Sequence, residues 1–216
     1  MNNIAIYGAG GFGREVAWLG EICGGDKGGE TIVCFIDDDD QSHGRMINGI
    51  PVMGLDAARQ AFPHASLVGA VGSPIVRQKL MEKAAAAGFT FETLIHPNVE
   101  RSRRIDIGEG TVICAGCILT TNIVIQKQVQ LNLHCTIGHD VVMEDYVTLA
   151  PGVHVSGYVH IGKRVYVGTG AVFINGKENA PLMIGDDVII GAGACVTKSI
   201  PAGVWGGVPA KKLRTK

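Results

Sequence analysis

Two histidines and an acid fall within one short segment, Leu133-His134-Cys135-Thr136-Ile137-Gly138-His139-Asp140. An imidazole with an ordinary pKa near ~6.5 accepts a proton at neutral pH, so a histidine here is a candidate general base. A carboxylate directly after His139 can orient or raise the imidazole if the two side chains turn the same way. The spacing His134-x4-His139 also suits two metal ligands, but a catalytic zinc takes three protein ligands and keeps one open position. The places where a third ligand would stack hold Thr121, Gly116, Arg103 and Asn98, and His96 is out of phase. No metal is therefore expected, and a metal-dependent enzyme stays as an alternative. Cys114-x2-Cys117 has the spacing of half a zinc knuckle or a redox pair. Nothing beside His154 or His160 suggests chemistry.

What must position these residues is a repeat. From Ile107 to Phe173 an aliphatic, Met or Phe residue stands at every sixth place, through Ile113, Leu119, Ile125, Leu131, Ile137, Met143, Leu149, Val155, Ile161 and Val167. A second series four places on is small or β-branched, from Thr111 through Cys117, Val129, Cys135 and Val147 to Ala171. A period of six belongs neither to a helix nor to a flat strand, and it predicts a parallel β-helix with one strand and one corner per hexad. Three hexads close a triangular coil, so residues 18 apart lie above one another. The register buries Cys117 and Cys135 as stacked small residues, which accounts for the cysteine pair without chemistry. It also sends His139 outward at a corner, with Gly157 one coil above leaving room beside the imidazole. The hexads break once, at Asn175–Pro181, a loop-like insertion expected to project from the coil, either as plain surface or against a ligand or a neighbouring subunit.

Residues 1–94 follow a different pattern. Strand signals at Ile4–Tyr7, Thr31–Ile36, Leu67–Val71 and Thr90–Ile95 alternate with helix signals at Arg14–Cys23, Leu55–Phe62 and Ile75–Ala87. This predicts a Rossmann-like α/β domain, with the boundary near 94–104 and the β-helix over 105–216. Gly8-Ala9-Gly10-Gly11-Phe12-Gly13 follows the first strand and opens the first helix, where backbone N–H groups and the helix dipole favour a phosphate. Asp37 and Asp38 follow the second strand, where an acid reaches a ribose. The domain is short for a whole dinucleotide fold, so a nucleotide-sugar diphosphate is preferred to NAD, with a purely structural turn as the bland reading.

With 216 residues, 46% hydrophobic and 18% charged, the chain is a well-buried protein rather than a disordered one. A formal net charge of −1 gives no electrostatic case for nucleic acid or an anionic membrane. The six cysteines form no secreted disulfide pattern, and neither a leader nor a membrane span is visible, so cytoplasmic residence is expected. The basic end Lys211-Lys212-Leu213-Arg214-Thr215-Lys216 reads as a solvated tail.

The hexads, Gly138-His139-Asp140, Gly191-Ala192-Gly193-Ala194-Cys195-Val196-Thr197 and Gly206-Gly207-Val208-Pro209-Ala210 together resemble the hexapeptide-repeat acyltransferases. The glycine turn, Phe35-Ile36-Asp37-Asp38 and Asn48-Gly49-Ile50-Pro51-Val52-Met53-Gly54 narrow this to the sialic acid O-acetyltransferase and bacillosamine N-acetyltransferase group. The resemblance spans nearly the whole chain. It implies a left-handed β-helix, a homotrimer, and acetyl-CoA as co-substrate lying between the β-helices of adjacent subunits. It implies acetyl transfer to a nucleotide-linked amino sugar in surface glycan synthesis, with O-acetylation of a sugar such as sialic acid as the rival. It puts the general base at His139 with Asp140 beside it, and the coenzyme's pantetheine arm at Gly157 and Gly193. Gly10, Gly11, Gly13, Arg14, Asp37 and Asp38 would line the nucleotide-sugar site, Arg14 pairing with a phosphate. The chain departs from the group at Thr148, where many relatives have histidine, at Phe12, and at the 175–181 insertion. A non-catalytic nucleotide-binding scaffold is the alternative from another class.

Overall fold

The computed structural model describes residues 2–24 and 30–214. They fall into two compact units, Met1–Pro97 and Asn98–Lys216. The first holds β1 (Asn2–Tyr7), α1 (Gly11–Gly24), β2 (Glu30–Ile36), β3 (Met46–Ile47), β4 (Ile50–Met53), α2 (Leu55–Ala61), β5 (Ser66–Gly69), α3 (Pro74–Ala86) and β6 (Leu94–Ile95). Its sheet runs β3-β4-β2-β1-β5, with β1 parallel to β2 and β5, and β2 parallel to β4. The central strands are buried on both faces, as continuous apolar runs such as Ile4-Ala5-Ile6-Tyr7 require. Helix α1 buries Gly13, Val16, Ala17 and Gly20, one stripe at helical spacing. Helix α3 starts at Pro74, whose missing N–H is no loss in a first turn. The β3–β4 hairpin turns through Asn48 and Gly49, at φ 51° and 80°. This hairpin was not predicted from the sequence, although Asn-Gly is the dipeptide such a turn favours.

The second unit is a parallel β-helix. One face stacks Ile118–Leu119, Thr136–Ile137, His154–Val155, Val172–Phe173 and Cys195–Val196 in parallel register. Two further faces stack in the same way, the second through Val124, Val142 and His160 and the third through Gln130, Thr148 and Tyr166. From Ile113 to Phe173 every member of the first sixfold series is at most 3% exposed, and the second series from Thr111 to Ala171 is at most 1% exposed. Above Ile161 the next rung is Ile184, 23 residues on, so the insertion adds five residues to one coil.

A third sixfold series carries the corners. Gly110, Gly116, Asn122, Gln128, His134, Asp140, Tyr146, Gly152, Tyr158, Arg164 and Gly170 all have positive φ, between 55° and 73°. The bend at each corner needs this left-handed conformation, which glycine adopts freely and most side chains resist. Seven of these eleven residues are not glycine, so the series is chemically mixed and invisible to a hydropathy pattern.

The basic end is not simply a solvated tail. Lys211–Arg214 pairs antiparallel with Val204–Gly206, while Lys211, Lys212 and Leu213 remain exposed. Backbone ladder bonds fix the segment although its side chains stay wet. Thr215 and Lys216 lie outside the described residues. Among those described, no helix is long and apolar enough to cross a membrane.

Because Leu149 is wholly buried between coils, Leu149→Ala should cost about 2–5 kcal/mol in denaturant unfolding. Thr169→Ala, at an exposed corner, should stay within about 0.5 kcal/mol of the parent. Equal stabilities in the two variants would contradict the inward register.

Candidate active site

His139 and Asp140 make one corner between the strands Thr136–Ile137 and Val142–Met143. Asp140 takes the left-handed corner conformation, which aspartate tolerates better than most residues. That turn swings its carboxylate beside the preceding side chain, and His139 Nδ1 lies 2.8 Å from Asp140 Oδ2. A ring nitrogen facing a carboxylate is the one that carries the proton, so Nδ1–H donates and Nε2 keeps its lone pair. The hydrogen bond from His139 holds the Asp140 carboxyl below the usual carboxylate range. The imidazole remains about half exposed.

Gly157 lies directly over the ring. A Cβ at that position would stand 2.5 Å from His139 Cε1 and Nε2, so only glycine leaves the imidazole its place. One rung further, Asn175 Oδ1 accepts the Gly157 N–H at 2.8 Å, and Gly176 N–H donates to the Gly157 carbonyl at 3.0 Å. The insertion is therefore tied to the site's own corner, and only its tip, where Lys177 and Ala180 bond each other, projects. The ring of Tyr158 meets the His139 imidazole edge-on, with centroids 5.0 Å apart and planes at 85°. Tyr158 and Asn175 were not among the residues that sequence reasoning selected, although both lie on the 18-residue grid. Gly193 also has positive φ, and a Cβ there would meet nothing within 4 Å, so its surface is open.

In the N-terminal unit the glycine turn divides its roles. Gly8, at φ 119°, sits against the Ala70 carbonyl, and a Cβ on Gly13 would collide with the Gly8 carbonyl. These two glycines serve the tight turn and the close approach of α1, so Gly13 is buried in packing rather than presented to a ligand. Around Gly10 there is open space, and Gly11 has only the Arg14 guanidinium near it, with Nη2 3.9 Å from a Cβ. This is the free N-terminus of α1, with an exposed cation beside it.

Asp37 and Asp38 line two adjoining cavities at the carboxyl ends of the strands. One, of about 340 Å³, also takes in Asp40, His43, Asp56 and Lys83. The other, of about 280 Å³, is walled by Tyr7, Val71, Val76 and Leu80. Asp38 Oδ1 accepts from Tyr7 Oη at 2.6 Å and from Lys83 Nζ at 2.7 Å. Desolvation pushes this carboxyl up, but the hydrogen bonds from Lys83 and Tyr7 outweigh it and hold it below its ordinary value. A lowered carboxyl favours the folded state above the usual carboxylate range and loses that contribution as pH falls through it. Burial, then the bond to Asp38, pushes the Tyr7 phenol up, so it remains a neutral donor. Asp37 Oδ1 accepts the Asp39 N–H at 2.9 Å, and its carbonyl is 2.8 Å from His43 Nε2. Arg77, wholly buried, donates to the Val71 carbonyl at 2.8 Å and props the cavity rim. Tyr7 comes from β1, His43 from the turn after β2, and Arg77 and Lys83 both from α3, and no local spacing links these three parts of the chain.

The remaining histidines lie elsewhere. His134 occupies the corner before His139 and packs on Gly116. The two imidazoles therefore sit at successive corners, and among the described residues no three His, Cys, Asp or Glu side chains converge as a metal would need. His154 Nδ1 is 2.8 Å from Thr136 Oγ1, and His160 Nε2 is 3.1 Å from Glu144 Oε1. All six cysteines are free thiols. Cys117 and Cys135 are fully buried on successive coils, their Sγ atoms 3.1 Å and 3.4 Å from the carbonyls of Asn132 and Ala150. Contact with Cys117, then burial, pushes the Cys135 thiol up. Thr148 is buried in register between Gln130 and Tyr166, so a small side chain fills this place, where the resemblance implies a histidine.

Residues 3–84 match the family described as the PglD N-terminal domain. The GDP-perosamine N-acetyltransferase of Escherichia coli O157:H7 is 35% identical over 217 residues, covering 99% of this chain and 97% of that protein. The chain belongs to the hexapeptide-repeat sugar acetyltransferases. Two solved structures resemble the acetyltransferase along its length. The acetyltransferase domain of PglB from Neisseria gonorrhoeae FA1090, in complex with acetyl coenzyme A, shares 33% identity at a TM-score of 0.86, over 99% of this chain and 100% of that one. PerB from Caulobacter crescentus, in complex with CoA and GDP-perosamine, shares 30% identity at a TM-score of 0.86, over 98% and 97%. The expected fold class, a Rossmann-like unit followed by a left-handed β-helix, is the one the acetyltransferase has.

The contact between Gly157 and His139 makes a specific demand of the acetyltransferase. Gly157→Ala should leave denaturant unfolding close to the parent while pushing the ring aside, and turnover should fall about a hundredfold, the scale of an ångström's misplacement. Thiol release from acetyl-CoA measures it, and parent-like turnover would show that the ring's position over Gly157 is immaterial.

Proposed function

We propose that this acetyltransferase moves the acetyl group of acetyl-CoA onto the amino group of a nucleotide-linked sugar, with His139 as general base. The observation that carries the reading is the His139–Asp140 contact at 2.8 Å, which commits Nδ1 and leaves Nε2 as a lone-pair acceptor against Gly157. The sugar nitrogen attacks the thioester carbonyl, and His139 Nε2 takes the proton that the nitrogen loses. The tetrahedral intermediate then collapses, the C–S bond breaks, and the proton passes to the departing CoA sulfur. Asp140 stabilises the imidazolium between these steps, and holding thioester and amine together supplies much of the rate.

Nucleotide recognition falls to the N-terminal unit. Gly10, Gly11 and Arg14 are disposed for the diphosphate, and Asp37 and Asp38 for the ribose and the base. A GDP-linked sugar is the preferred acceptor, since the E. coli relative and PerB are both named with GDP-perosamine. The open surface at Gly193 is assigned to the pantetheine arm, together with Gly157, which is buried against the imidazole. Three copies assembling with acetyl-CoA between their β-helices form part of the same reading, supported by the family resemblance. Cytoplasmic residence rests on the supply of both co-substrates there.

The test is thiol release from acetyl-CoA against GDP-, UDP- and dTDP-linked amino sugars, with products analysed by mass spectrometry and hydroxylamine. The expected product is a hydroxylamine-stable amide from the GDP-linked sugar. His139→Ala should lower turnover about 10²–10⁴-fold while CoA binding by calorimetry persists. Near-parent turnover in His139→Ala would sink the base assignment, and a hydroxylamine-labile ester would replace the amine by a hydroxyl. Sedimentation tests the trimer directly.

A further inference from the structure

Asp140 stands in the middle of a column of three corner residues from successive coils. Asn122, Asp140 and Tyr158 are 18 apart, and their φ angles of 55°, 57° and 55° show one repeated corner geometry. From one neighbouring coil, Asn122 Nδ2–H donates to Asp140 Oδ1 at 3.2 Å. From the other, the Tyr158 hydroxyl lies beside the same carboxylate, whose charge pushes the phenol up. The Tyr158 ring stands edge-on to His139. The carboxylate is thus divided, with Oδ1 held by Asn122 and Oδ2 left for His139 Nδ1.

Resting on the reading of His139 as the base, we propose that Asn122 and Tyr158 are positioning residues for the His139–Asp140 pair. They fix the carboxylate from both adjacent coils and wall the imidazole, so that Nε2 faces the acceptor. Asn122 reaches the pair through the carboxylate, and Tyr158 meets it at the ring. The charged and titratable groups facing the imidazole are Asp140 and Tyr158, with Glu178 of the insertion acting on Tyr158 from farther off. Thr121, Gly157 and Asn175, which share the His139 column, carry no charge.

The arrangement has a signed consequence. Donors to Asp140 share its negative charge, so removing one leaves more charge on Oδ2 and favours the imidazolium. The His139 titration should then move to higher pH, and the acid limb of the rate profile with it. A residue that merely packed the coil would lower stability and leave that limb in place.

Asn122→Gly suits the positive φ and removes the donor, and Tyr158→Phe keeps the ring and removes the hydroxyl. Ring-nitrogen NMR of histidine, with the His139 signal assigned by its loss in His139→Ala, reads the titration without any substrate. The shift expected in each variant is on the order of half a pH unit upward, with unfolding temperatures close to the parent. With acetyl-CoA and GDP-perosamine, turnover should fall about tenfold and the KM for acetyl-CoA should hold within about twofold. A parent-like titration in either variant removes that residue from the assignment, and in both overturns the proposal. His139→Ala separates the two readings. If it is inactive while both variants titrate like the parent, the base stands and the positioning role falls. If it is active, the base assignment fails and the positioning role goes with it.

Discussion

Every feature of the β-helix follows from one constraint, that the chain returns to the same place after each coil of 18 residues. The return lets Leu131 pair with Leu149 and Leu149 with Val167, so that each strand's backbone groups find partners on both sides. It also stacks like on like in the interior, where burial of the aliphatic series supplies the driving force. The cost lies at the corners, where residues as different as Gln128, His134, Tyr146 and Arg164 are held at φ of 56–62°. Ladder bonds on the flanking strands over-determine those corners, which is how such conformations persist.

The candidate site is what the same constraint produces when unusual residues occupy two neighbouring corner columns. Thr121, His139, Gly157 and Asn175 form one column, and Asn122, Asp140 and Tyr158 the other. In the first, glycine opens a notch beside the imidazole, and asparagine closes it above by holding the Gly157 N–H. In the second, the carboxylate is gripped from the neighbouring coil. No loop has to fold over to assemble this geometry, because the rigid coil stack supplies it. The five-residue insertion does not break the pattern either. It leaves the column at Asn175 and rejoins the ladder at Leu182, which pairs with Val159.

The N-terminal unit is built differently. Its cleft gathers Tyr7 from β1, Asp37 and Asp38 after β2, and Lys83 from α3 around one carboxylate. The turn glycines were visible in the sequence because a strand, a glycine run and a helix follow in order. Their division of labour was not, since only the packed structure shows that Gly13 abuts Gly8 while Gly10 faces open space. The Asn48-Gly49 hairpin was not read from the sequence although its turn chemistry was there to find, and the strand Lys211–Arg214 hid in a basic run because its ladder bonds use backbone alone.

The sequence by itself determined the fold class and the register, because a sixfold hydropathy period has one economical solution and a fixed period predicts which residues stack. That was enough to bury Cys117 and Cys135, to turn His139 outward and to place Gly157 above it. Only the tertiary structure decided which way the corner side chains point. Asp140 meets His139 Nδ1 because its backbone takes the left-handed turn, and Tyr158 reaches the ring because its corner repeats that turn one coil on. Hydropathy records inside and outside, while the sign of φ at a corner is set by closing the coil, and residue types such as Gln128, His134, Tyr158 and Arg164 do not announce it.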